Sequence, residues 1–233
     1  VYDSRSLKPG DCFFAVPGTQ SDGHDYIPMA VEKGAAAIVC ERMPADAAEG
    51  VAYVLVGDSA GAMADMAAAF YDYPSRELKL VGITGTNGKT TTSRMIEQSW
   101  QDAGISYFAN KSGANLLSGV TAEFAVHSTL TGRCKYPYAL IEADEAALKF
   151  ISKYVDAKVI VFTNVFRDQL DRYGEVTHTL SKLRVGAQNS PNAVLCLNAD
   201  DSLITSLHDD VPNPVIFYGI STPLYEEQVS DLS

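Results

Sequence analysis

A glycine-rich loop with one lysine contains the residue types that bind phosphate groups. Residues 85–91 read Gly-Thr-Asn-Gly-Lys-Thr-Thr, between an apolar run at residues 78–83 and a predicted helix at residues 92–100. In a strand–loop–helix arrangement, glycines let backbone N–H groups turn toward phosphate oxygens, and the helix N-terminus adds free donors. A lysine can reach the β- and γ-phosphates, and the threonine hydroxyl after it can ligate Mg²⁺. The sequence therefore predicts a nucleotide site here.

The loop departs from the usual phosphate-binding pattern at one position. That pattern places its first glycine at position 83, where this chain has Ile83, so Gly85 takes the role instead. A glycine turn that only joins a strand to a helix is the alternative interpretation, and Gly-Lys-Thr in this context favours phosphate binding. The predicted nucleotide contacts of the loop are Gly85, Thr86, Asn87, Gly88, Lys89, Thr90 and Thr91.

Acidic and amide side chains follow other predicted strands. Residues 140–145 read Leu-Ile-Glu-Ala-Asp-Glu, which places three carboxylates just past an apolar run. Mg²⁺ bound to a triphosphate needs one or two carboxylates besides the threonine hydroxyl. Asp144 can instead cap the helix that follows, and a wholly structural cluster is a further alternative. Asn164 and Asn198 directly follow two other predicted strands, and helix capping is an equally good interpretation of the Asn-Ala-Asp-Asp run that begins at Asn198.

These polar groups need a parallel sheet to bring them together. The predicted strands after the first 77 residues are 79–84, 106–109, 138–142, 158–163, 193–197 and 214–218. Predicted helices follow the glycine loop and cover residues 145–155, 178–188 and 201–207. Strands that alternate with helices predict a doubly wound parallel sheet, and such sheets bind ligands at the carboxyl ends of their strands. The loop and the acidic clusters all lie at such ends.

The first part of the chain is predicted to form a separate small α/β domain. Its strands are expected at residues 12–16, 35–40 and 52–56, and its helices at residues 26–33 and 60–71. The predicted division is a domain at 1–73, a linker at 74–77 and a nucleotide-binding domain at 78–233. With 233 residues and 46% hydrophobic residues, the chain can bury two cores.

Charge and cysteine content exclude several classes of function. The chain has 18 Lys and Arg against 29 Asp and Glu, a net charge of −11, which argues against nucleic acid or anionic membranes as partners. Its four cysteines lack the spacing of a zinc site, so we expect buried thiols in a reducing compartment. No signal peptide or membrane-length apolar run is present, so we expect a cytoplasmic protein.

The loop sequence Gly-Thr-Asn-Gly-Lys-Thr-Thr resembles the ATP loop of the Mur ligases, the amide-forming enzymes of peptidoglycan synthesis, and that of folylpolyglutamate synthetases. The resemblance implies ATP and Mg²⁺ as cofactors. It makes Glu142 the metal-binding glutamate, with Thr90 as the second metal ligand and with Lys89 and Glu142 as the catalytic residues. It also places Asn164 and Asn198 among the ATP contacts.

Residues 1–73 resemble the N-terminal domain of UDP-N-acetylmuramyl tripeptide synthetases. The resemblance rests on Asp-Ser-Arg at residues 3–5, Gly-Thr-Gln-Ser-Asp-Gly at residues 18–23 and the segment from residue 26 to residue 39. It implies a nucleoside contact at Ser4 and Arg5. It implies diphosphate contacts at Thr19, Gln20 and Ser21, although Thr19 stands where the family often has histidine. Ordinary surface turns are the alternative for these residues.

Three blocks of the second domain resemble a different member of the family. Residues 110–121, residues 142–146 and the Arg-Asp-Gln-Leu-Asp-Arg-Tyr-Gly run at residues 167–174 resemble the ligase subunit of lipid II isoglutaminyl synthase. Tripeptide synthetases have a metal-binding histidine where this chain has Gln169, so a second metal site is in question. This resemblance implies lipid II as substrate and a glutamine amidotransferase as partner.

We therefore predict an ATP-dependent ligase that acts through an acyl phosphate, of the isoglutaminyl synthase type. The first alternative is a tripeptide synthetase that acts on a UDP-MurNAc-peptide. The second is a truncated, non-catalytic nucleotide-binding module. Mur ligases complete their site with a C-terminal ligase domain, which we expect to be absent from this chain.

Overall fold

A computed structural model describes the chain at residues 1–18, 21–110, 113–129, 131, 133–165 and 173–220. The first sheet has three parallel strands in the order β1 (Cys12–Phe14), β2 (Ala37–Cys40) and β3 (Ala52–Leu55). Helix α1 (Ile27–Glu32) packs on one face of this sheet, and helix α2 (Ser59–Phe70) packs on the other. The sequence predicted these five elements; in the structure, the strands and α1 are one or two residues shorter at one or both ends, and α2 is shifted toward the N-terminus by one residue.

The second sheet has six parallel strands, as expected for a doubly wound fold. The strands are β4 (Lys79–Thr84), β5 (Tyr107–Ala109), β6 (Tyr138–Glu142), β7 (Ala157–Phe162), β8 (Val194–Asn198) and β9 (Val215–Tyr218). Their order across the sheet is β5-β6-β4-β7-β8-β9. The helices that connect them are α3 (Lys89–Asp102), α4 (Leu117–His127), α5 (Leu148–Ile151), α6 (Tyr173–Gln188) and α7 (Ser202–Thr205).

Helices cover both faces of this sheet. On one face, Ile83, Leu140 and Val161 form a cluster that packs against Ile96 and Trp100 of α3. The other face packs against helices α4, α5 and α6 through a larger cluster of buried residues. Because the central strands β4, β6 and β7 are covered on both faces, their sequences are continuously apolar rather than alternating. The predicted strands were readable for that reason.

The connections place the glycine loop at the centre of the sheet. After β4, the chain crosses to the β5 edge and returns through β6, and it then passes to the other side of β4 with β7. The order of the strands reverses at β4, and an open α/β sheet binds its ligands in the crevice at such a point. Residues 85–88 connect the carboxyl end of β4 to α3, so the loop lies in that crevice.

Helix α4 is an element that the sequence prediction missed. Its residues include Gly119, Val120 and Thr121, which are weak helix formers. Packing holds the helix instead, because Val120 and Phe124 are buried in the core. A Cβ atom at Gly119 would lie 2.8 Å from the backbone of Ala114, so the close approach of the preceding loop requires a glycine there.

Three predicted helices differ in extent. The helix expected at residues 145–155 is reduced to the four residues of α5, with turns on either side. Helix α6 begins five residues before its predicted start, at Tyr173. The helix expected at residues 201–207 is divided into α7 and a 3₁₀ helix at Ser206–Asp210. Among the described residues, no helix has the length and hydropathy that a membrane crossing requires.

Candidate functional site

Gly85 brings the glycine loop against the end of β7. Its φ of 129° lies in a region that L-residues rarely adopt, and a Cβ atom there would overlap the Thr163 hydroxyl and the backbone of Asn164. Gly88, with φ 81°, is the N-cap residue of α3. The loop therefore leads directly into the N-terminus of a 14-residue helix, where free N–H groups favour an anion.

The end of β7 holds the first half of the loop in place. The Asn164 carbonyl accepts the Thr86 N–H at 2.8 Å, and the Asn164 side-chain oxygen accepts the Asn87 N–H at 3.0 Å. The Thr163 hydroxyl donates to the Asn87 carbonyl at 2.7 Å. Asn198 in turn donates to the Thr163 carbonyl at 2.8 Å. The two asparagines predicted to contact ATP thus support the loop, Asn164 directly and Asn198 through Thr163.

Lys89 lies over the loop rather than in solvent. Its Nζ donates to the Gly85 carbonyl at 2.5 Å and lies 3.5 Å from a carboxylate oxygen of Glu145. The two side chains are only 14% and 22% exposed, so this ion pair is partly shielded from water. A phosphate group bound by the loop would compete with Glu145 for the Lys89 ammonium group, and the ion pair between Lys89 and Glu145 would break. Lys89 is therefore positioned to neutralise phosphate charge.

Thr90 and Glu142 meet at the opposite side of the same helix terminus. The Thr90 hydroxyl lies 3.3 Å from Glu142 Oε2, and the Ser93 hydroxyl donates to Glu142 Oε1 at 3.1 Å. Glu142 is only 8% exposed. A hydroxyl and a carboxylate are oxygen ligands of the kind that Mg²⁺ prefers, with phosphate oxygens and water completing its shell. Within the described part of the chain, no group of three or more His, Cys, Asp or Glu could hold a metal alone.

Other acidic residues near the strand ends stabilise turns. Asp144 accepts the Ala146 N–H at 2.8 Å, in the turn that leads to α5, so it caps that turn and not the helix itself, whose N-cap is Ala147. Asp201 caps α7 and also accepts the Val165 N–H at 2.7 Å. Gln169, the position that bears on a second metal, lies outside the described residues, as do Arg167 and Asp168, for which a local ion pair is the structural alternative.

The predicted substrate contacts lie in the first sheet region. Ser4 is buried, and Lys33 donates to the carbonyls of Ser4 and Arg5 at 2.9 and 3.0 Å. The Arg5 side chain is exposed and pairs with Asp3. The Ser21 carbonyl accepts the Gly18 N–H at 3.0 Å. Thr19 and Gln20 lie outside the described residues, and no described contact joins this group to the glycine loop.

Asp22 anchors the end of the predicted diphosphate loop, residues 18–23, to the end of β2. Its carboxylate accepts the His24 N–H at 2.9 Å, the Arg42 guanidinium at 2.6 Å and the His24 ring at 2.7 Å. These hydrogen bonds, the His24 N–H foremost, hold the pKa of the Asp22 carboxyl well below its ordinary value. The His24 ring also accepts the Glu41 N–H at 2.9 Å, which ties residues 22–24 to the end of β2.

A cleft of about 260 Å³ lies between the two sheet regions. Its walls come from residues next to β1, from the start of α2, from the start of α4 and from the segment around α5. Most lining residues are apolar, and Asp58 is the one carboxylate among them. The wall residues Ala146 and Ala147 directly follow Glu145, the partner of Lys89, so this wall is joined through the backbone to the side chain that pairs with the lysine of the glycine loop.

Four residues of the site were not singled out by the sequence analysis for the roles they have. Thr163 and Ser93 bind the loop and Glu142 through hydroxyl groups, which no motif marked. Asn110 bonds to the backbone of Glu142, and Glu145 pairs with Lys89. The signal in the sequence was that Asn110 and Glu145 lie just past predicted strands and that Thr163 is the last residue of one.

The fold and the site define a doubly wound α/β protein with a candidate nucleotide site at the glycine loop that follows its central strand. A sequence profile of the Mur ligase middle domain matches residues 83–232, and one described as Mur ligase family, catalytic domain matches residues 1–71. The chain belongs to the Mur ligase family.

The curated relatives are ligases of one kind. The UDP-N-acetylmuramoyl-L-alanyl-D-glutamate–2,6-diaminopimelate ligase of Bacteroides fragilis is 40% identical over 219 residues, covering 85% of this chain and 44% of that protein. Ligase 1 of the same description from Clostridium acetobutylicum is 34% identical over 231 residues, covering 94% and 47%. The chain thus spans about half the length of the relatives it matches.

Solved structures share the fold. MurF from Acinetobacter baumannii matches with a TM-score of 0.74 at 23% identity, over 94% of this chain and 47% of that one. MurF from Thermotoga maritima in complex with ADP matches with a TM-score of 0.69 at 24% identity, over 95% and 50%. At these identities the likeness concerns the fold alone.

Proposed function

We propose that this chain provides the nucleotide site and the adjoining substrate cleft of an ATP-dependent ligase that forms an amide bond on a peptidoglycan precursor. The observation that carries this proposal is the convergence of Lys89 with the Thr90–Glu142 pair at the N-terminus of α3. One group supplies a cation for phosphate, and the other supplies two oxygen ligands for Mg²⁺. A structural glycine turn would need neither.

The reaction proceeds in two balanced steps. A carboxylate oxygen of the substrate attacks the γ-phosphorus of ATP, which forms an acyl phosphate and releases ADP. The amine then attacks the acyl carbon, which forms the amide and releases inorganic phosphate and a proton. Phosphoryl transfer of this kind depends on positioning and charge neutralisation more than on covalent chemistry by the protein.

The residues of this chain divide that work between them. The N–H groups of residues 85–91 would surround the phosphates, and Lys89 would balance the charge of the transferring group. Thr90 and Glu142 would hold Mg²⁺, which withdraws charge from the phosphate oxygens when it is bound. Asn164, Asn198 and Thr163 would keep the loop in its binding conformation. Glu145 would lose Lys89 to the nucleotide.

For the substrate, we propose UDP-MurNAc-L-Ala-D-Glu, with 2,6-diaminopimelate as the amine. The support comes from the curated relatives, whose names state this reaction and whose similarity extends over both sheet regions. These relatives favour the tripeptide synthetase alternative over the isoglutaminyl synthase prediction, and they give no support to an amidotransferase partner. The substrate would occupy the cleft beside residues 146–147, with its UDP group near Ser4, Arg5 and residues 19–21.

The division of labour between the two regions follows from this assignment. We propose residues 1–73 as the UDP-binding domain, 74–77 as the linker and 78–233 as the ATP-binding domain. Helix α2 of the first region packs against α4 of the second, and the Ser75 hydroxyl donates to the Tyr154 carbonyl at 3.0 Å. These contacts hold the two walls of the cleft together.

The acyl phosphate offers the sharpest test of this function. The chain, joined to the C-terminal ligase domain with which Mur ligases complete their site, is incubated with ATP, Mg²⁺ and UDP-MurNAc-L-Ala-D-Glu in the presence of hydroxylamine, which traps an acyl phosphate as a hydroxamate. We expect ADP and hydroxamate only when the muramyl dipeptide is present. Diaminopimelate should replace hydroxylamine and give the tripeptide, measured by mass spectrometry.

The other candidates give different outcomes. Hydroxamate formed on lipid II but not on the UDP-linked dipeptide would favour the isoglutaminyl synthase reaction. Binding of ATP without hydroxamate on either substrate would favour the non-catalytic module. Glu142→Gln serves as the negative control, because it removes the proposed metal carboxylate while keeping the size of the side chain.

A further inference from the structure

Glu142 is the last residue of β6, and the neighbouring strand β5 ends before it reaches Glu142. Strand β5 pairs with β6 only through Tyr107, Phe108 and Ala109, and its last partner on β6 is Leu140. Backbone groups in a strand point alternately to the two sides, so the N–H and the carbonyl of Glu142 both point to the β5 side. No residue of β5 remains to receive them.

The Asn110 side chain takes both groups. Its Oδ1 accepts the Glu142 N–H at 2.8 Å, and its Nδ2 donates to the Glu142 carbonyl at 2.8 Å. A side-chain amide presents an acceptor oxygen beside an NH₂ group with two donors, so Asn110 can pair with both backbone groups of Glu142 and extends the sheet by one residue with its side chain. Nδ2 also donates to the Ala114 carbonyl at 2.8 Å, and Asn110 is only 9% exposed.

The two hydrogen bonds between the Asn110 side chain and the Glu142 backbone form a clamp. This clamp restricts where the Glu142 carboxylate can lie. On its other side, Glu142 is in register with Ile83 of β4, the strand that leads into the glycine loop. With both flanks fixed, the side chain extends from the strand end to Thr90 Oγ1 at 3.3 Å and Ser93 Oγ at 3.1 Å. Without Asn110, the last residue of β6 would be bound on one side only.

We propose that Asn110 is a positioning residue that holds Glu142 in place for Mg²⁺. This inference rests on the proposed function, in which Thr90 and Glu142 are the metal ligands. Groups that orient metal ligands typically change metal affinity by about 10–100-fold when they are removed. Loss of the Asn110 amide should therefore raise the Mg²⁺ concentration at which the metal supports nucleotide binding. Nucleotide binding by the loop without metal should stay nearly unchanged.

Asn213 provides a matched control in the same chain. Its buried amide also donates to two backbone carbonyls, those of Ser190 and Ala193, at 2.7 and 3.1 Å. It lies just before β9, at the amino end of the strands and thus at the opposite end of the sheet from Glu142. Asn213→Ala therefore reports the cost of losing a structural amide without affecting the metal site.

The experiment is calorimetric titration of ATP into the chain at a series of Mg²⁺ concentrations, for the wild type, Asn110→Ala and Asn213→Ala. We expect Asn110→Ala to raise the half-saturating Mg²⁺ concentration at least tenfold, with the metal-free Kd within twofold of the wild type. Asn213→Ala should lower the melting temperature and keep the half-saturating Mg²⁺ concentration within twofold.

A half-saturating Mg²⁺ concentration within twofold of the wild type for Asn110→Ala would overturn the proposal. If that variant does not fold, Asn110→Ser, whose hydroxyl can satisfy one of the two Glu142 groups, is measured in its place. If neither Asn110→Ala nor Asn110→Ser folds, Asn110 has a purely structural role, and the proposal is also overturned. A wild-type Kd for ATP that does not change with the Mg²⁺ concentration is a different result. It would contradict the proposed metal site and, with it, the role of Asn110.

Discussion

Replacing Gly85 with alanine tests whether the loop has the conformation that phosphate binding requires. At φ 129°, an alanine is strained whatever the space around it. Its Cβ would also meet the Thr163 hydroxyl and would lie 2.8 and 2.9 Å from the Asn164 carbonyl oxygen and nitrogen. Two of these atoms belong to the backbone at the end of β7, which cannot move without disturbing the sheet.

The expected cost has two parts. A residue in such a sparsely populated region costs about 1–3 kcal/mol. Overpacking against rigid neighbours costs about 1–3 kcal/mol more. For a chain of this size, each kcal/mol lowers the melting temperature by about 2–4 °C. Gly85→Ala should therefore melt at least about 4 °C lower than the wild type, or the loop must move away from Asn164 and lose its hydrogen bonds to Thr86 and Asn87.

Gly104→Ala is the control for the backbone term. Gly104 also has a positive φ, 67°, but no atom lies within 4 Å of a Cβ built there. Both variants are compared by thermal unfolding and by ATP titration. We expect Gly85→Ala to show the larger loss of stability and a loss of ATP affinity that Gly104→Ala does not share. Equal stability and equal ATP affinity in the two variants would refute the packing of the loop against β7.

Three further substitutions test other parts of the structure. Thr163→Val keeps the shape but removes the hydroxyl that bonds to the Asn87 carbonyl, so it should lower stability by about 1–3 kcal/mol in urea titrations and weaken ATP binding. Leu195→Ala empties a fully buried site in the large core and should cost about 2–5 kcal/mol by the same measurement, with ATP affinity retained. Asp22 has a pKa below its unfolded value, so its contribution to stability is present above about pH 4 and is lost as the pH falls toward its folded pKa. Asp22→Asn should therefore melt lower than the wild type at pH 7 and should lose less stability than the wild type on acidification. Equal melting temperatures of the wild type and Asp22→Asn at every pH would contradict this.

The fold could be predicted where the signal was local. Buried parallel strands are continuously apolar, so β4, β6 and β7 were visible as runs, and glycine followed by lysine and threonine marked the turn into α3. Helix α4 lacks such a signal, because glycine and β-branched residues fill its centre and tertiary packing holds it. The turn that precedes α5 depends on Asp144, whose side chain accepts the Ala146 N–H and so competes with an earlier start of the helix.

The candidate site was predictable in its residues and not in its connections. Lys89 and Thr90 follow from the loop pattern, and the resemblance to Mur ligases singles out Glu142 among the three carboxylates past a strand. The clamp between Asn110 and Glu142 joins residues 32 positions apart and depends on β5 ending before β6 does. The register of neighbouring strands determines such a contact, and a single sequence does not specify that register. The same reason hid the support that Thr163 gives to the loop.

The most direct test of the account is ATP binding by wild-type chain and Lys89→Ala, with Lys182→Ala as a control. Lys89 has its Nζ above the phosphate loop, whereas Lys182 lies on α6, away from the loop. Calorimetry with saturating Mg²⁺ is the measurement. Charge-assisted hydrogen bonds contribute about 1.5–3 kcal/mol, so we expect Lys89→Ala to raise the Kd for ATP by at least about tenfold. Lys182→Ala should leave the Kd unchanged, and an equal ATP affinity in wild type and Lys89→Ala would contradict the assignment of residues 85–91 as the nucleotide site.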